Sequence, residues 1–383
     1  MNGDTAPYDA EAQEQLVAGL QDPASYPHPV QRVRLIETHI SYVVLTGSYA
    51  YKIKKVVDLG FLDFTSLGKR RFFCEEELRL NRRLAPRLYL DVVSIGGTPQ
   101  KPQLGVEAGV FDCAVKMREF PQEGLLDQVL ARGELRAEHI DAIAAVVAEF
   151  HQRVERARPD QPWGGAHSIE EPMRQNVSQI LALLDSDAER ETLAAIESWS
   201  LQEHEALLAV FEQRHAQGFV RECHGDLHLG NIALVNGEIQ IFDCIEFNAN
   251  LRWIDVINEI AFLIMDLEER GRPDRAARFL NAYLQETGDY AGLRLLRYYQ
   301  VYRAMVRAKV ARMRASQAHL SADERRNALG AYGVYTAYAL KLIAPPNPAL
   351  RRCLTSTKVR SRPRRTIRSS SLRPALTFTP RIR

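Results

Sequence analysis

The segment His-Gly-Asp-Leu-His-Leu-Gly-Asn at residues 224–231 holds the residue types whose spacing best supports a chemical reaction. Asp226 and Asn231 lie five positions apart, and Asp243 follows the apolar run Ile-Gln-Ile-Phe. Phosphoryl transfer from a nucleotide needs a carboxylate that accepts a hydroxyl proton and oxygen ligands that hold magnesium against the phosphates. A loop carrying Asp226 and Asn231, with a strand that ends at Asp243, would supply these groups. A single Asp or Asn in a loop is more often a turn residue, so the prediction depends on the set.

This run resembles the catalytic loop and metal site of the aminoglycoside phosphotransferase and choline kinase superfamily. The resemblance implies a catalytic base at Asp226, magnesium ligands at Asn231 and Asp243, and a loop-ordering role for His224. His228 could face the substrate or bond to a backbone carbonyl, and both roles stay open. The implied cofactors are ATP and Mg²⁺, and the implied acceptor is a hydroxyl group of a small molecule.

A nucleotide site of this kind also needs a lysine on a strand, held by a glutamate on a helix. Lys52 and Lys54 of the run Tyr-Ala-Tyr-Lys-Ile-Lys-Lys share one face, because side chains alternate along a strand. Lys52 is preferred because Ala50, two positions earlier, matches the small residue that contacts adenine in kinases; Lys54 is the alternative. Glu77 is the preferred partner among the three glutamates at 75–77.

Two further segments are candidates for contact with the nucleotide. Gly47, the single glycine of Leu-Thr-Gly-Ser-Tyr-Ala, is the candidate for a turn at the phosphates, although the GxGxxG of protein kinases is absent. The hinge that hydrogen-bonds adenine is expected near Met117 to Phe120, between the strand-rich and helix-rich parts. The resemblance also implies that Asp255, early in an amphipathic helix, supports the catalytic loop; the alternative is an acid on the helix surface.

The predicted elements give an α+β protein with a two-lobed, protein-kinase-like fold. A small antiparallel sheet with one helix forms the N-lobe, and a larger, mainly helical C-lobe follows. β-Branched and aromatic residues predict strands at 39–47, 48–57, 88–97 and 109–120, with a helix at 69–86. Apolar periodicity predicts helices at 135–153, 171–184, 188–218, 251–270, 275–285, 293–319 and 322–343. The dipeptide Asn236-Gly237 predicts a tight hairpin turn just before Asp243.

We divide the chain into a leader and linker at 1–30, a nucleotide-binding N-lobe at 31–120 and a helical C-lobe with the catalytic loop at 121–344. A short helical pattern runs from Ala10 to Leu20 within the leader. Residues 345–383 form a basic tail, which we expect to be disordered or the product of a frame change.

The tail accounts for the overall charge of +2. It holds ten Arg, one Lys and no acid, which leaves 39 basic and 48 acidic residues before it, a balance of −9. A negative body would permit a cationic acceptor. The Pro-Pro-Asn-Pro-Ala-Leu segment at 345–350 resembles bacterial proteins whose kinase-like half precedes a P-loop nucleotide-binding half, but no GxxxxGK[ST] follows it here.

Composition argues for a cytoplasmic enzyme that does not span a membrane. The five cysteines are scattered without a CxxC pair, as expected for reduced thiols. The acidic start lacks a secretory pattern, and charged residues interrupt the longest apolar stretch. Nucleic-acid binding is not expected, because the basic tail has no interleaved aromatic residues. The alternative function is a catalytically silent nucleotide-binding regulatory module, against which the complete set Asp226, Asn231 and Asp243 argues.

Overall fold

A six-stranded antiparallel sheet forms the N-lobe. Its strands are β1 (Arg34–Glu37), β2 (Ser41–Leu45), β3 (Tyr49–Lys54), β4 (Tyr89–Thr98), β5 (Lys101–Leu104) and β6 (Asp112–Arg118). They lie in the order β1-β2-β3-β6-β4-β5. The computed structural model describes residues 8–345 apart from positions 61, 159, 318 and 319, so the predicted tail lies outside the described residues except for Pro345.

One face of this sheet is covered by helix α2 (Leu67–Asn81), which packs on β4 and β6. The side chain of Ser66 caps the helix by accepting a hydrogen bond from the Lys69 N–H. In the first turn, the buried Arg70 pairs with Asp112 at 2.8 Å and ties the helix to the start of β6. Glu77 is fully buried on this face.

The opposite face is covered by helix α1 (Ala10–Gly19), which lies in the segment predicted to be a leader. Leu16 and Leu20 are fully buried in a cluster with residues of the sheet that includes Tyr51 and Ile53. The Gln13 side chain donates to the backbone oxygen of Lys54 at 2.8 Å. The helical pattern was therefore predicted correctly, but the helix is part of the N-lobe core and does more than link.

The C-lobe is mainly helical. Its helices are α3 (Leu126–Ala131), α4 (Ala137–Arg153), α5 (Ala166–Leu181), α6 (Asp187–Ala216), α7 (Val256–Glu269), α8 (Pro273–Thr287), α9 (Leu293–Ala315) and α10 (Ala322–Ile343). Helix α7 is buried on all sides from Val256 to Leu267, and it packs against α8 and α9. The described chain contains no helix that is both long and apolar enough to cross a bilayer.

Four short strands position the catalytic loop within these helices. Strand β7 (Val220–Glu222) pairs with β10 (Trp253–Asp255), and β8 (Ile232–Val235) forms a hairpin with β9 (Glu238–Ile241). Asn236 and Gly237 turn the hairpin with φ values of 52° and 82°, as the sequence predicted.

The two-lobed α+β prediction is confirmed, with local corrections. The helix predicted from Leu251 begins only at Val256, because residues 253–255 pair with β7 as a strand. Asp255 then caps the helix by accepting from the Ile257 N–H. Strands β1 and β5 and the six-residue helix α3 were not predicted, since each is too short to show a periodic pattern.

Candidate active site

The catalytic loop runs from strand β7 to strand β8, and it brings Asp226 and Asn231 into contact. The Asn231 side-chain nitrogen donates to Asp226 twice, to the backbone oxygen at 3.0 Å and to the carboxylate Oδ2 at 2.8 Å. Because both hydrogen bonds use the side-chain nitrogen, the amide oxygen of Asn231 takes part in neither of them. Asp226 remains accessible, with one-third of its side chain exposed.

His224 joins two parts of the site through its ring nitrogens. Its Nε2 lies 2.9 Å from the backbone oxygen of Phe242, and its Nδ1 accepts from the Asp226 N–H at 3.2 Å. Both contacts suit one neutral tautomer, with the proton on Nε2. Burial lowers the pKa of His224 to about 4, which is consistent with a neutral ring at physiological pH. The ring thus joins the loop to the residue that precedes Asp243.

His228 contacts a backbone N–H and the Asp226 carboxylate, whereas the sequence left open a substrate-facing role and a bond to a backbone carbonyl. Its Nδ1 accepts from the Gly230 N–H at 3.1 Å, and its Nε2 lies 3.4 Å from Asp226 Oδ2. Burial disfavours ionised Asp226, but His228 outweighs this effect, aided by His224 and Arg307, and holds the pKa of Asp226 well below its ordinary value. The Asp226 carboxylate is therefore ionised across the physiological pH range.

Asp243 lies at the end of the β8–β9 hairpin in an uncommon backbone conformation. Its φ is 66°, a left-handed value that few residues other than glycine adopt. The Asp243 N–H donates to the Tyr89 hydroxyl at 3.2 Å, and Asp243 Oδ1 lies 2.5 Å from Lys52 Nζ. Almost half of the Asp243 side chain is exposed, so the carboxylate faces the cleft with oxygen Oδ2 still available.

Lys52 and Lys54 both reach Glu77, and they differ in their second partner. Lys52 Nζ lies 2.8 Å from Glu77 Oε1, and Lys54 Nζ lies 2.7 Å from Glu77 Oε2. Lys52 then contacts Asp243, whereas Lys54 contacts Glu246, a residue that the sequence did not indicate. Glu77 is therefore the helix glutamate of this network.

The buried charges of this network stabilise one another. Burial disfavours the ionised form of Glu77, but Lys52 and Lys54 outweigh burial and lower its pKa to about 2. Burial also disfavours charged Lys52, and Asp243 and Glu77 together raise its pKa well above the ordinary value. For Glu246 burial prevails and raises the pKa, against the charge of Lys54.

The catalytic loop is anchored by helices α7 and α9 through residues that the sequence analysis missed. Glu259 accepts from the backbone N–H groups of His224 at 2.7 Å and Gly225 at 2.9 Å. Arg303 donates to the Gly225 oxygen at 2.9 Å, and Asp266 accepts from the Leu229 N–H at 2.9 Å. The one available signal was the presence of Glu259 and Asp266 within an otherwise apolar run, since buried polar groups need partners.

Asp255 does not take the supporting role that the resemblance implied. Its carboxylate forms a two-pronged ion pair with Arg214, at 2.7 and 2.9 Å, and Arg214 also pairs with Asp289. Strand pairing places Asp255 opposite Val220, at the far end of β7 from the catalytic loop. Glu259, one helical turn later on α7, accepts the loop hydrogen bonds instead of Asp255.

Gly47 is not brought to the catalytic groups. It lies in the β2–β3 turn with φ 90°, and its N–H donates to the Glu119 carboxylate at 2.7 Å. That turn is at the hinge end of β3, whereas Lys54 pairs with Ser41 at the other end. The turn nearest the lysines is therefore the β1–β2 turn at 38–40, which contains no glycine.

The segment predicted to be the hinge, residues 117–120, begins within the last two residues of β6. Met117 pairs with Ala50 in β3, and Met117 and Phe120 pack in one cluster with Phe242. The Phe120 and Phe242 rings are 5.5 Å apart, and Phe242 precedes Asp243. Met117 and Phe120 thus lie beside the strand that leads into the site.

The donor chemistry of the site fits magnesium and a nucleotide. Asp243 offers an accessible carboxylate, and Asn231 offers an amide oxygen, both hard ligands of the type that magnesium prefers. Lys52 provides a fixed positive charge beside Asp243, at the position suited to a phosphate.

The comparisons with known proteins identify the family of this chain. Residues 74–296, more than half of the chain, match the sequence model of the phosphotransferase enzyme family. The chain therefore belongs to the phosphotransferase enzyme family.

Uncharacterized proteins of Mycobacterium tuberculosis and Mycobacterium bovis are each 34% identical to this chain over 293 residues. That alignment covers 76% of this chain and 57% of each mycobacterial protein, so the chain spans little more than half the length of these relatives.

Solved structures show the same fold at low sequence identity. The amicoumacin kinase hAmiN, in complex with AMP-PNP, Ca²⁺ and Ami, is 16% identical with a TM-score of 0.53, and the match covers 85% of this chain and 95% of that one. A thermostable mutant of the aminoglycoside phosphotransferase APH(4)-Ia is 13% identical with a TM-score of 0.51, covering 86% and 98%. The family resemblance inferred from the catalytic loop is confirmed.

Proposed function

We propose that the protein is an ATP- and Mg²⁺-dependent kinase that phosphorylates a hydroxyl group of a small molecule in the cytoplasm. The observation that carries this proposal is the continuous contact network from the helix glutamate to the cleft. Lys52 bridges Glu77 at 2.8 Å and Asp243 at 2.5 Å, while Asn231 holds Asp226 at 2.8 Å on the neighbouring loop. A kinase requires this combination of a held lysine, a metal-binding carboxylate and a positioned base.

Each residue has a separate task in the proposed reaction. Lys52 binds the nucleotide phosphates, while Glu77 keeps its ammonium group in place. Asp243 and the Asn231 amide oxygen are the residues that would hold Mg²⁺, which neutralises phosphate charge when bound. Met117 to Phe120 would contact the adenine.

Asp226 acts on the acceptor. The acceptor oxygen forms a bond to the γ-phosphorus while the bond from that phosphorus to the leaving ADP oxygen breaks, and the hydroxyl proton passes to the Asp226 carboxylate. The depressed pKa of Asp226 keeps this carboxylate ionised before the step. His228, 3.4 Å from Asp226, orients that carboxylate towards the acceptor.

The test compares the native chain with Asp226→Asn in MgATP turnover, measured as ADP release and as transfer of labelled γ-phosphate to a panel of sugars, aminoglycosides and amino alcohols. The expected loss in kcat is about 10² to 10⁴-fold with the KM for ATP nearly unchanged, since the base acts on the acceptor. Binding of MgATP without any turnover by the native chain would support a silent regulatory module, and turnover that survives Asp226→Asn would refute the assigned base.

A further inference from the structure

Helix α9 borders the site from the catalytic loop to the β1–β2 turn. In its middle, Arg303 Nη1 contacts the oxygen of Gly225, the residue before Asp226. Just beyond its end, the side chain of Gln317 lies 2.9 Å from His39 Nδ1 in the β1–β2 turn. The part of α9 between these two contacts therefore lies beside the space between the turn and the catalytic loop.

Three residues of that part share the face that carries Arg303. Arg307, Val310 and Arg314 follow at intervals of four, seven and eleven positions, which keeps them within about 40° of Arg303 at 100° per residue. Val310 is 44% exposed and Arg314 is exposed, so the part of this face farthest from Arg303 is open to solvent. Arg307, closer to Asp226, is half-buried.

The helix that carries this face is strongly cationic. Leu293–Ala315 contains six Arg, one Lys and no acidic residue. Within the described part of the chain, Arg307 forms no ion pair shorter than 4 Å, and its one hydrogen bond is to the Tyr335 hydroxyl at 3.3 Å. Nη2 of the buried Arg303 also has no hydrogen-bond partner among the described residues.

Acidic groups near Arg307 do not cancel this charge. Asp266 on α7 is already paired with Arg270 at 2.8 Å and with the Leu229 N–H. Asp226 is close enough to affect the pKa of Arg307, but that carboxylate is the proposed base. Glu269 is the remaining carboxylate on which Arg307 has an electrostatic effect, and it forms no ion pair with Arg307 within 4 Å. A guanidinium beside the catalytic carboxylate is thus left with spare hydrogen-bond donors.

We propose that the acceptor carries an anionic group, a carboxylate or a phosphate ester, besides its reactive hydroxyl, and that Arg307 binds this group with Arg314 farther out on α9. The inference rests on the proposed function and names its substrate class. An anionic acceptor replaces the cationic acceptor that the net charge of −9 before the tail permitted. The reason is that helix α9, beside the catalytic loop, is basic although residues 1–344 as a whole are acidic. Guanidinium groups suit carboxylates and phosphates, which they bind through paired hydrogen bonds.

Arg307 could meet an anion from two sources, the acceptor or the nucleotide. The proposal assigns it to the acceptor, because Lys52 and Asp243 are the groups placed for the nucleotide phosphates and Arg307 hydrogen-bonds to Tyr335 rather than to either of them. The two sources separate in kinetics: loss of an acceptor contact raises the KM for the acceptor, whereas loss of a nucleotide contact raises the KM for ATP.

The experiment uses the full chain, MgATP and hydroxyl compounds matched in shape but different in charge. Glucuronate, glucose and glucosamine form one series, and glycerate, glycerol and ethanolamine form another. Labelled phosphate transfer gives kcat and KM, and binding of each compound is measured by calorimetry in the presence of the non-hydrolysable analogue AMP-PNP and Mg²⁺. The variants are Arg307→Met, Arg307→Lys and Arg314→Met, with Arg294→Met, exposed at the first turn of the same helix, as control.

The anionic member of a series is expected to bind or react at least about tenfold better than its neutral and cationic counterparts. Arg307→Met should raise its KM or Kd by about 10- to 100-fold, with partial recovery in Arg307→Lys and no change in the KM for ATP. Arg314→Met, on the exposed surface, should give a smaller increase without affecting folding, and Arg294→Met should behave as the native chain.

Several results would overturn the proposal. These are preference for a neutral or cationic member, equal binding of all three members when none reacts, or an effect of Arg307→Met on the KM for ATP alone. They are distinct from failure of the proposed function, which would appear as an absence of MgATP turnover in the native chain and of its dependence on Asp226.

Discussion

Lys52 and Lys54 illustrate how two residues on one face of a strand acquire different tasks. Both contact Glu77, but Lys52 continues to Asp243 in the cleft, while Lys54 continues to the buried Glu246. The Lys54 side chain is 1% exposed, against 10% for Lys52. We therefore assign phosphate binding to Lys52 and a structural role to Lys54.

These assignments predict opposite effects of substitution. Lys52→Ala should lower kcat/KM for MgATP by about 10² or more, since a preorganised charge at the phosphates is lost, and should change the free energy of unfolding less, because Glu77 keeps Lys54. Lys54→Met should destabilise the fold by about 3–5 kcal/mol, because it removes the cationic partner of the buried Glu246. Denaturant unfolding and steady-state kinetics measure the two effects.

Lys101→Ala, an exposed lysine on strand β5 of the same sheet, is the matched control and should change neither quantity. Equal loss of turnover in folded Lys52→Ala and Lys54→Met proteins would contradict the division of tasks. The sequence could predict that both lysines share a face, because strand alternation is local. It preferred Lys52 only through the position of Ala50, because the partners Asp243 and Glu246 lie 191 and 192 positions away along the chain.

At the scale of elements, the catalytic loop depends on helix α7 for its shape. Glu259 uses both carboxylate oxygens to hold the N–H groups of His224 and Gly225, and Gly225 has φ 87°. A Cβ added at Gly225 would lie 2.7 Å from the Leu251 oxygen, so the loop also passes close to the segment before β10. The loop can take this shape only because α7 places an acceptor directly beneath it.

Glu259→Ala should therefore lower kcat by about 10- to 100-fold, since Asp226 is displaced from its working position, with a loss of about 1–3 kcal/mol in the free energy of unfolding from the unsatisfied N–H groups. Glu259→Gln, which retains one acceptor oxygen, should recover part of both. The exposed Glu138→Ala on α4 serves as control. Native kcat in Glu259→Ala would show that the loop holds its shape without α7.

The sequence predicted most of these elements and misplaced the one that supports the loop. Helices α6, α8 and α10 are long and periodic, so their positions were close to those observed. The start of α7 was misplaced because Trp253 to Asp255 are apolar enough to extend a helix, but their pairing with β7 is a tertiary contact. Because residues 253–255 form a strand, Asp255 lies away from the catalytic loop, and Glu259 makes the contacts with the loop that were expected of Asp255.

At the scale of the whole molecule, the sheet and the helical part meet around the cleft through side chains far apart in sequence. Lys54 with Glu246 and Arg79 with Glu222 join the α2 side of the sheet to the catalytic segment. At the mouth of the cleft, His39 in the β1–β2 turn contacts Gln317 beyond α9. The His39–Gln317 contact has no sequence signal, because neither partner lies in a motif and the separation is 278 positions.

The His39–Gln317 contact predicts a role in closing the site rather than in folding. His39 is exposed and Gln317 is partly exposed, so Gln317→Ala should leave the free energy of unfolding within about 0.5 kcal/mol of the native value. A cross-cleft hydrogen bond contributes about 0.5–1.5 kcal/mol to the closed state, so its loss should raise the KM for MgATP about two- to tenfold.

A site that closes less completely also admits water, and the ratio of ATP hydrolysis to phosphate transfer should rise. Steady-state kinetics with ADP release and labelled transfer measured in parallel give this ratio, with the exposed Gln202→Ala on α6 as control. An unchanged ratio and KM in Gln317→Ala would mean that the turn closes on the nucleotide through its backbone alone.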